Sequence, residues 1–220
     1  MSNNLLAGVR AVIFDMDGLM LDTERMAQSA WQTAGAERNY DFPAHVYLQA
    51  VGRTKSDTER LFKDAFGPEF PFDALYARKQ ELFYAMLEAE PIPTKPGLFE
   101  LLDRIDGRGL AKAVATSTAR PLALKKLTTT GLIDRFATIV GGDEVPNGKP
   151  APDIFLAAAA RLAVAPARCL VLEDSEAGVR AAHAAGMQSI MVPDLKAPSA
   201  AVKALALTVV QSLTDVSQLL

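Results

Sequence analysis

Short apolar segments alternate with helical patterns along most of this chain of 220 residues. The apolar segments are Val9–Phe14, Ala111–Ala115, Ala137–Val140, Arg168–Leu172 and Ser189–Val192, and the helical patterns between them are Leu98–Ile105, Pro121–Thr129, Asp153–Leu162 and Ala177–Ala185. Strands without a regular polar alternation are typical of a sheet that helices cover on both faces. The sequence therefore predicts an α/β fold built on a parallel sheet.

One long stretch interrupts this alternation, because residues 22–89 show helical periodicity only. Helices are predicted there at Thr23–Gly35, Pro43–Ala50, Ser56–Phe66 and Asp73–Leu87. Glycine and proline residues separate these helices, as expected for turns. We therefore predict two domains: residues 1–21 and 90–220 form the core with the sheet, and residues 22–89 form an inserted all-helical cap.

Composition excludes several classes of protein. The net charge of −3 offers no broad basic surface to hold a nucleic acid or an anionic membrane, so neither is expected as a partner. Cys169 is the single cysteine, which excludes an intrachain disulfide and suits a reducing compartment. No apolar segment is long enough to span a bilayer and no exposed apolar stripe stands out. We expect a cytoplasmic monomer.

Polar and charged residues follow four of the predicted strands, where parallel α/β sheets bind their ligands. They are Asp15 and Asp17 after the first strand, Thr116, Ser117 and Thr118 after the second, Lys149 after the third, and Glu173 and Asp174 after the fourth. Each of these patterns alone also occurs in ordinary turns and helix caps. Their occurrence together, at successive strand ends, predicts one shared site.

The carboxylates of this site predict a magnesium ion. Crowded carboxylates raise one another's pKa values, and a hard divalent cation relieves that repulsion through oxygen ligands. Asp15 and Asp174 are the candidate side-chain ligands, and the backbone carbonyl of Asp17 is the third. Glu173 binds the ion either directly or through a water molecule, and the sequence leaves both open.

The remaining groups suit a phosphate ester. Lys149 offers a positive charge to phosphate and nucleophile, Thr116 offers a hydroxyl, and Ser117 lies near a predicted helix start whose N–H groups favour an anion. Asp15 is the candidate nucleophile. Asp17, two residues along an extended segment, lies on the same side and is the candidate acid and base.

These motifs together resemble the haloacid dehalogenase superfamily of phosphohydrolases. Residues 14–18, Phe-Asp-Met-Asp-Gly, are similar to its first motif, and residues 115–117, Ala-Thr-Ser, to its second. Lys149 within Gly-Lys-Pro-Ala-Pro-Asp is similar to the third, and residues 172–175, Leu-Glu-Asp-Ser, to the fourth. The resemblance covers nearly the whole chain. It implies a Rossmann-like core, and a helical cap like that of the β-phosphoglucomutase branch.

The resemblance also bears on the type of reaction. The dehalogenases of the superfamily lack the second aspartate, so Asp17 favours phosphoryl transfer over carbon–halogen cleavage. The β-phosphoglucomutases carry a histidine in the first cap helix, and the equivalent position here is Ala27, which weakens a mutase interpretation. In the cap loop, Lys55 and then Arg53 match the place where relatives contact the substrate.

These observations predict a Mg²⁺-dependent phosphatase that hydrolyses a small phosphorylated metabolite, such as a sugar phosphate, through an aspartyl-phosphate. A phosphomutase like β-phosphoglucomutase is the first alternative, and it would pass the phosphoryl group to a second sugar hydroxyl. A non-catalytic regulatory protein on the same fold is the second alternative. The costly acidic cluster argues against it, because such a cluster brings no evident structural benefit.

Overall fold

A computed structural model, which describes residues 8–51, 55–89 and 91–220, contains a parallel six-stranded sheet. The strands lie in the order β3-β2-β1-β4-β5-β6, and every neighbouring pair is parallel. Their bounds are Ala11–Phe14 (β1), Ala111–Ala115 (β2), Thr138–Val140 (β3), Cys169–Glu173 (β4), Gln188–Met191 (β5) and Thr208–Val209 (β6).

The first four helices after β1 form the inserted helical segment: Thr23–Ala36 (α1), Ala44–Ala50 (α2), Lys55–Phe66 (α3) and Phe72–Ala89 (α4). Aromatic rings fill the interior of this helical segment. The Trp31 ring lies 4.9 Å from Phe62, 5.5 Å from Phe42 and 5.9 Å from Phe72, measured between centroids. Because all four residues are nearly inaccessible to solvent, they hold α1, α3 and α4 together by hydrophobic burial.

The remaining helices follow β2 or immediately precede it: Leu98–Gly107 (α5), Arg120–Thr129 (α6), Asp153–Arg161 (α7), Glu176–Ala184 (α8), Ala200–Lys203 (α9) and Leu213–Leu219 (α10). Helices α7 and α8 pack on one face of the sheet. There Phe155 of α7 and Ala181 of α8 share one buried cluster with Ile13 and Val171 of the strands. Such packing explains why the central strands are apolar on successive residues.

Strand β1 occupies the centre of the sheet, between β2 and β4. All of its residues, Ala11 to Phe14, are fully buried, and Ala11 is in register with Ala111 on one side and Cys169 on the other. The chain leaves β1 through a tight turn in which Gly18 adopts a left-handed conformation, with φ of +88°. The residues that follow β1 are therefore presented at the middle of the carboxyl edge.

The α/β fold with a parallel sheet and an inserted helical segment is confirmed, and the predicted strands and helices differ from the observed ones by only one or two residues at most ends. Three short elements near the carboxyl terminus were not predicted: β6, α9 and α10. Strand β6 contains only two residues, both half-buried, so it has no apolar run that a sequence pattern would reveal.

The described residues divide into two compact units. One contains the chain up to Leu21 together with Pro93–Leu220 and holds the sheet, and the other is the helical segment Asp22–Ile92. In the part of the chain that the structure describes, no helix has the length and apolar character needed to cross a membrane.

Candidate active site

Asp15 lies directly after the central strand and is almost completely buried, with 7% of its surface exposed. Its backbone N–H still donates to the carbonyl of Leu172, at 3.0 Å, so the sheet fixes where the side chain begins. The side-chain Oδ1 accepts a hydrogen bond of 2.5 Å from Lys149 Nζ. The predicted nucleophile and the predicted lysine, 134 residues apart, are thus brought into direct contact.

Lys149 makes three hydrogen bonds with its ammonium group. Besides Asp15, Nζ donates to Glu173 Oε1 at 2.6 Å and to the carbonyl of Ala115 at 3.1 Å. It also lies 4.9 Å from the centre of the Phe155 ring. Since an ammonium group has three donors, this side chain ties together the ends of β1, β2 and β4.

Burial and the neighbouring charges have opposing effects on the pKa values of Asp15 and Lys149. Burial disfavours the charged form of Asp15 and raises its pKa from its ordinary value to about 7, a rise that Lys149 opposes and that Glu173 and Asp17 increase. Burial would lower the pKa of Lys149, but the adjacent carboxylates of Asp15 and Glu173 outweigh that effect and raise it. The site contains more carboxylates than cations, which favours a further positive charge.

Three carboxylates of this edge could share a metal ion. Oxygen atoms of Asp15, Glu173 and Asp174 all lie within 4.8 Å of one another. Asp174 is partly exposed, whereas Glu173 is fully buried as the last residue of β4. A set of carboxylate oxygens without sulfur or imidazole suits a hard cation such as Mg²⁺ or Ca²⁺.

Glu173 uses both of its oxygens in hydrogen bonds. Oε1 accepts from Lys149, and Oε2 accepts from both the N–H and the hydroxyl of Ser175, each at 2.8 Å. Gly178 of α8 leaves the space for this carboxylate, since a Cβ there would lie 1.8 Å from Oε1. Helix α8 thus holds Glu173 in one position, and Ser175 also caps that helix through a hydrogen bond from the N–H of Gly178.

Asp17 lies in a different environment from Asp15. Its Oδ2 accepts from the hydroxyl of Thr118 and its Oδ1 from the ammonium of Lys126, both at 2.6 Å. The sequence placed Thr118 in the hydroxyl cluster after the second strand but assigned it no role, and Lys126 was not predicted as a site residue. A signal for Lys126 exists in the sequence, because this lysine shares the buried face of α6 with Ala123 and Leu127, at helical spacing.

The two predicted phosphate-binding hydroxyls have different surroundings. Thr116 is 1% exposed, and its Oγ1 accepts a hydrogen bond from the N–H of Thr118, at 3.1 Å. Ser117 is exposed and lies before helix α6, which begins at Arg120 with Ala119 as its N-cap residue and Pro121 in its first turn. The helix thus begins within one residue of its predicted start at Pro121.

A neighbouring turn supports the segment that carries these hydroxyls. A Cβ at Gly142 would lie 2.3 Å from the carbonyl oxygen of Ser117, so only glycine allows this close approach. Asp143 accepts a hydrogen bond of 2.7 Å from the N–H of Arg120, the first residue of α6. This role of residues 141–144, the Gly-Gly-Asp-Glu segment, was not predicted from the sequence, since only the packing of the two loops reveals it.

Within the helical unit, Lys55 lines a cavity of about 190 Å³ whose walls include Ala27, Glu24 and Tyr47. Its ammonium donates to Asp73 Oδ1 at 2.8 Å. Lys55 is about half exposed, so this surface ion pair adds little stability. Arg53, the other predicted substrate contact, lies outside the described residues.

Comparison with known proteins gives a consistent result. The family of haloacid dehalogenase-like hydrolases matches residues 9–186. A probable pseudouridine-5'-phosphatase of Drosophila melanogaster is 36% identical over 200 residues, which cover 88% of this chain and 86% of that protein. A phosphorylated carbohydrates phosphatase of Thermotoga maritima is 31% identical over 186 residues, covering 83% of this chain and 84% of the relative.

A solved structure shows the similarity over nearly the whole chain. The crystal structure of a putative beta-phosphoglucomutase from Thermotoga maritima matches 96% of this chain and 97% of its own, with a TM-score of 0.78 and 29% identity. The chain thus belongs to the haloacid dehalogenase-like hydrolases, in the branch that resembles β-phosphoglucomutase and carries a helical insert after the first strand.

Proposed function

We propose that this hydrolase is a Mg²⁺-dependent phosphatase that removes phosphate from a small phosphorylated metabolite, with sugar phosphates as the first candidates. One observation carries the proposal. Asp15 and Asp17 are separated by a single residue, yet Asp15 lies in the buried acidic cluster with Lys149, whereas Asp17 is held by Thr118 and Lys126. Two neighbouring carboxylates in different environments are suited to two different chemical roles.

The donor set supports Mg²⁺ as the cofactor. Asp15 and Asp174 would hold the ion with their carboxylates, and the backbone carbonyl of Asp17 would complete the protein ligands. Both oxygens of Glu173 already accept hydrogen bonds, which favours contact through a water over direct ligation. When bound, Mg²⁺ would neutralise negative charge on the phosphoryl group and on Asp15.

Asp15 is the proposed nucleophile. Lys149 holds its Oδ1, so we assign the attack on phosphorus to Oδ2. The new O–P bond forms as the bond between phosphorus and the leaving oxygen breaks, which gives an aspartyl-phosphate and an alcohol. Thr116 and Ser117 would donate their hydroxyls to the phosphoryl oxygens.

Asp17 is the proposed acid and base. It gives its proton to the leaving oxygen in the first step and becomes a carboxylate. In the second step that carboxylate takes a proton from water, and the oxygen of the water attacks phosphorus. Inorganic phosphate leaves, Asp15 regains its free carboxylate, and Asp17 is protonated again, so atoms and charges balance over the cycle.

Two kinds of support favour sugar phosphates. One relative is described as a phosphatase of phosphorylated carbohydrates, and the matched solved structure as a putative beta-phosphoglucomutase. The substrate contacts assigned to Lys55 and Arg53 stay predictions. The cavity beside Lys55 contains polar groups of Glu24 and Tyr47 that would suit a hydroxylated leaving group.

Phosphate release from a panel of sugar phosphates and other phosphoesters, with Mg²⁺ or with EDTA, tests the proposal. We expect Mg²⁺-dependent release that Asp15→Asn abolishes. Asp134→Asn is the matched control, because Asp134 is an exposed aspartate of the same unit. Phosphate release at the wild-type rate by the Asp15→Asn variant would refute the assignment of Asp15 as the nucleophile. Isomerisation of a sugar phosphate in the presence of a sugar bisphosphate, without net release, would favour the mutase instead.

A further inference from the structure

Lys126 is a lysine on the buried face of a helix. Only 3% of its surface is exposed, and it lies between Ala123 and Leu127 on the side of α6 that packs inward. Lysine is almost never buried to this extent unless its charge is paired. Lys125, the preceding residue, is exposed, so α6 carries one buried and one exposed lysine side by side.

One partner of the buried ammonium is the carboxylate of Asp17. Nζ lies 2.6 Å from Oδ1, and the side-chain exposures of the two residues are 4% and 21%. Thr118 donates to the other oxygen at the same distance. With a donor on each oxygen, the carboxylate group can neither rotate freely about its last bond nor swing toward Asp15.

We propose that Lys126 is a positioning residue for Asp17, which it holds in the orientation required to transfer a proton to the leaving oxygen. The inference rests on the proposed phosphatase function. Its physical basis is geometric, since a misplacement of about 1 Å in a catalytic group costs roughly 10²-fold in rate. Lys126 itself stays outside the reacting atoms and acts only through Asp17.

Leaving groups that differ in their need for protonation distinguish a positioning role of Lys126 from a purely structural role. An alkyl alkoxide is a poor leaving group and requires protonation as the P–O bond breaks, whereas p-nitrophenolate leaves without it. The value of kcat/KM reports the first step, in which the aspartyl-phosphate forms. A misplaced Asp17 therefore lowers kcat/KM for alkyl esters selectively, whereas a general loss of structure lowers it for both kinds of ester.

The test compares Lys126→Met with Lys125→Met, its exposed neighbour. Values of kcat/KM are measured for p-nitrophenyl phosphate and for the alkyl phosphate that the wild-type enzyme hydrolyses best. We expect Lys126→Met to lose at least about tenfold more on the alkyl ester than on the aryl ester, which is a part of the 10²- to 10⁴-fold effect of general acid catalysis. Lys125→Met is expected to match the wild type on both esters.

A second variant keeps the test decisive if Lys126→Met does not fold, as judged by circular dichroism. Lys126→Gln retains an N–H donor toward Asp17 without the charge, and we expect a smaller loss that is still selective for the alkyl ester. Equal losses on both esters, or none, in the folded variant would overturn the inference while leaving the phosphatase intact. If the wild-type enzyme releases phosphate from neither ester, the proposed function fails and the inference falls with it.

Discussion

Substitution of Gly178 by alanine would displace a carboxylate of the candidate site, although Gly178 itself has no reactive side chain. A Cβ at this position of α8 would lie 1.8 Å from Oε1 and 1.9 Å from Cδ of Glu173, well inside van der Waals contact. Because Glu173 is completely buried, its carboxylate has no path into solvent. It must move away from Lys149 or Ser175, or the helix must move away from the sheet.

Three effects set the magnitude. Overpacking a filled interior costs about 1–3 kcal/mol, and breaking a hydrogen bond to a buried charge costs about 1.5–3 kcal/mol. The higher helix propensity of alanine returns about 1 kcal/mol. We therefore expect the free energy of unfolding to fall by about 1.5–5 kcal/mol. A loss of 3 kcal/mol corresponds to roughly 6–12 °C in Tm for a protein of this length.

Thermal and urea unfolding in metal-free buffer, followed by far-UV circular dichroism, would measure this loss without a contribution from bound Mg²⁺. Gly107→Ala is the matched control. Gly107 ends α5, and no atom lies within 4 Å of the position that its Cβ would occupy, so alanine should leave stability unchanged or raise it by up to about 1 kcal/mol. Equal stability of the Gly178→Ala and Gly107→Ala variants would refute this account of how Glu173 is held.

Three further predictions concern other parts of the protein. The pKa of Asp106 lies below its ordinary value because the buried Lys112 donates to it, so Asp106→Asn should destabilise the chain at pH 7. Because the pKa of Asp106 is lowered in the folded state, the stabilisation that its carboxylate provides is present above the unfolded pKa of about 4 and is lost as pH falls through the lower folded pKa. The difference in Tm between Asp106→Asn and wild type should therefore shrink toward about pH 3, and a constant difference would contradict this account. Gly18→Ala should weaken Mg²⁺ binding in calorimetry, since its Cβ would lie 2.3 Å from Asp174 Oδ2, whereas Gly67→Ala, at an equally left-handed glycine with open space around it, should leave Mg²⁺ affinity unchanged. Trp31→Ala should cost about 3–5 kcal/mol of stability by chemical denaturation, and Tyr84→Ala, at a residue that is 43% exposed, less than about 1 kcal/mol. Equal losses would show that the aromatic cluster is not the core of the helical unit.

The fold was predictable from the sequence because its signals are local. Apolar runs such as Ala11–Phe14 mark strands buried on both faces, and helical periodicity marks the inserted segment. The positions of Asp15 at the end of β1 and of Lys149 in the loop that follows β3 were predictable for the same reason, since parallel strands present their carboxyl ends at one edge. Strand β6 was missed because two half-buried residues form no recognisable pattern.

The partners of the site residues were not predictable in the same way. That Lys126 reaches Asp17, 109 residues away, depends on which face of α6 turns inward and on how far that helix lies from β1. The sequence pattern shows that the charged Lys126 lies within an apolar stripe of α6, but it does not show which residue the ammonium group contacts. The same limitation applies to the Gly-Gly-Asp-Glu segment, whose contact with Ser117 exists only when two loops pack together.

The sequence by itself thus determined the alternation of strands and helices, the inserted helical segment, and the order in which carboxylates, hydroxyls and a lysine follow the strands. These properties follow from the spacing of apolar residues and from the residue types at segment ends. Both signals are local, because they depend only on residues that are close together in the chain. The tertiary structure alone decided that Glu173 bonds Lys149 and Ser175 at once and that Asp17 is held apart from Asp15 by Thr118 and Lys126. Such contacts depend on distances and orientations between elements, which the close packing of the whole core sets.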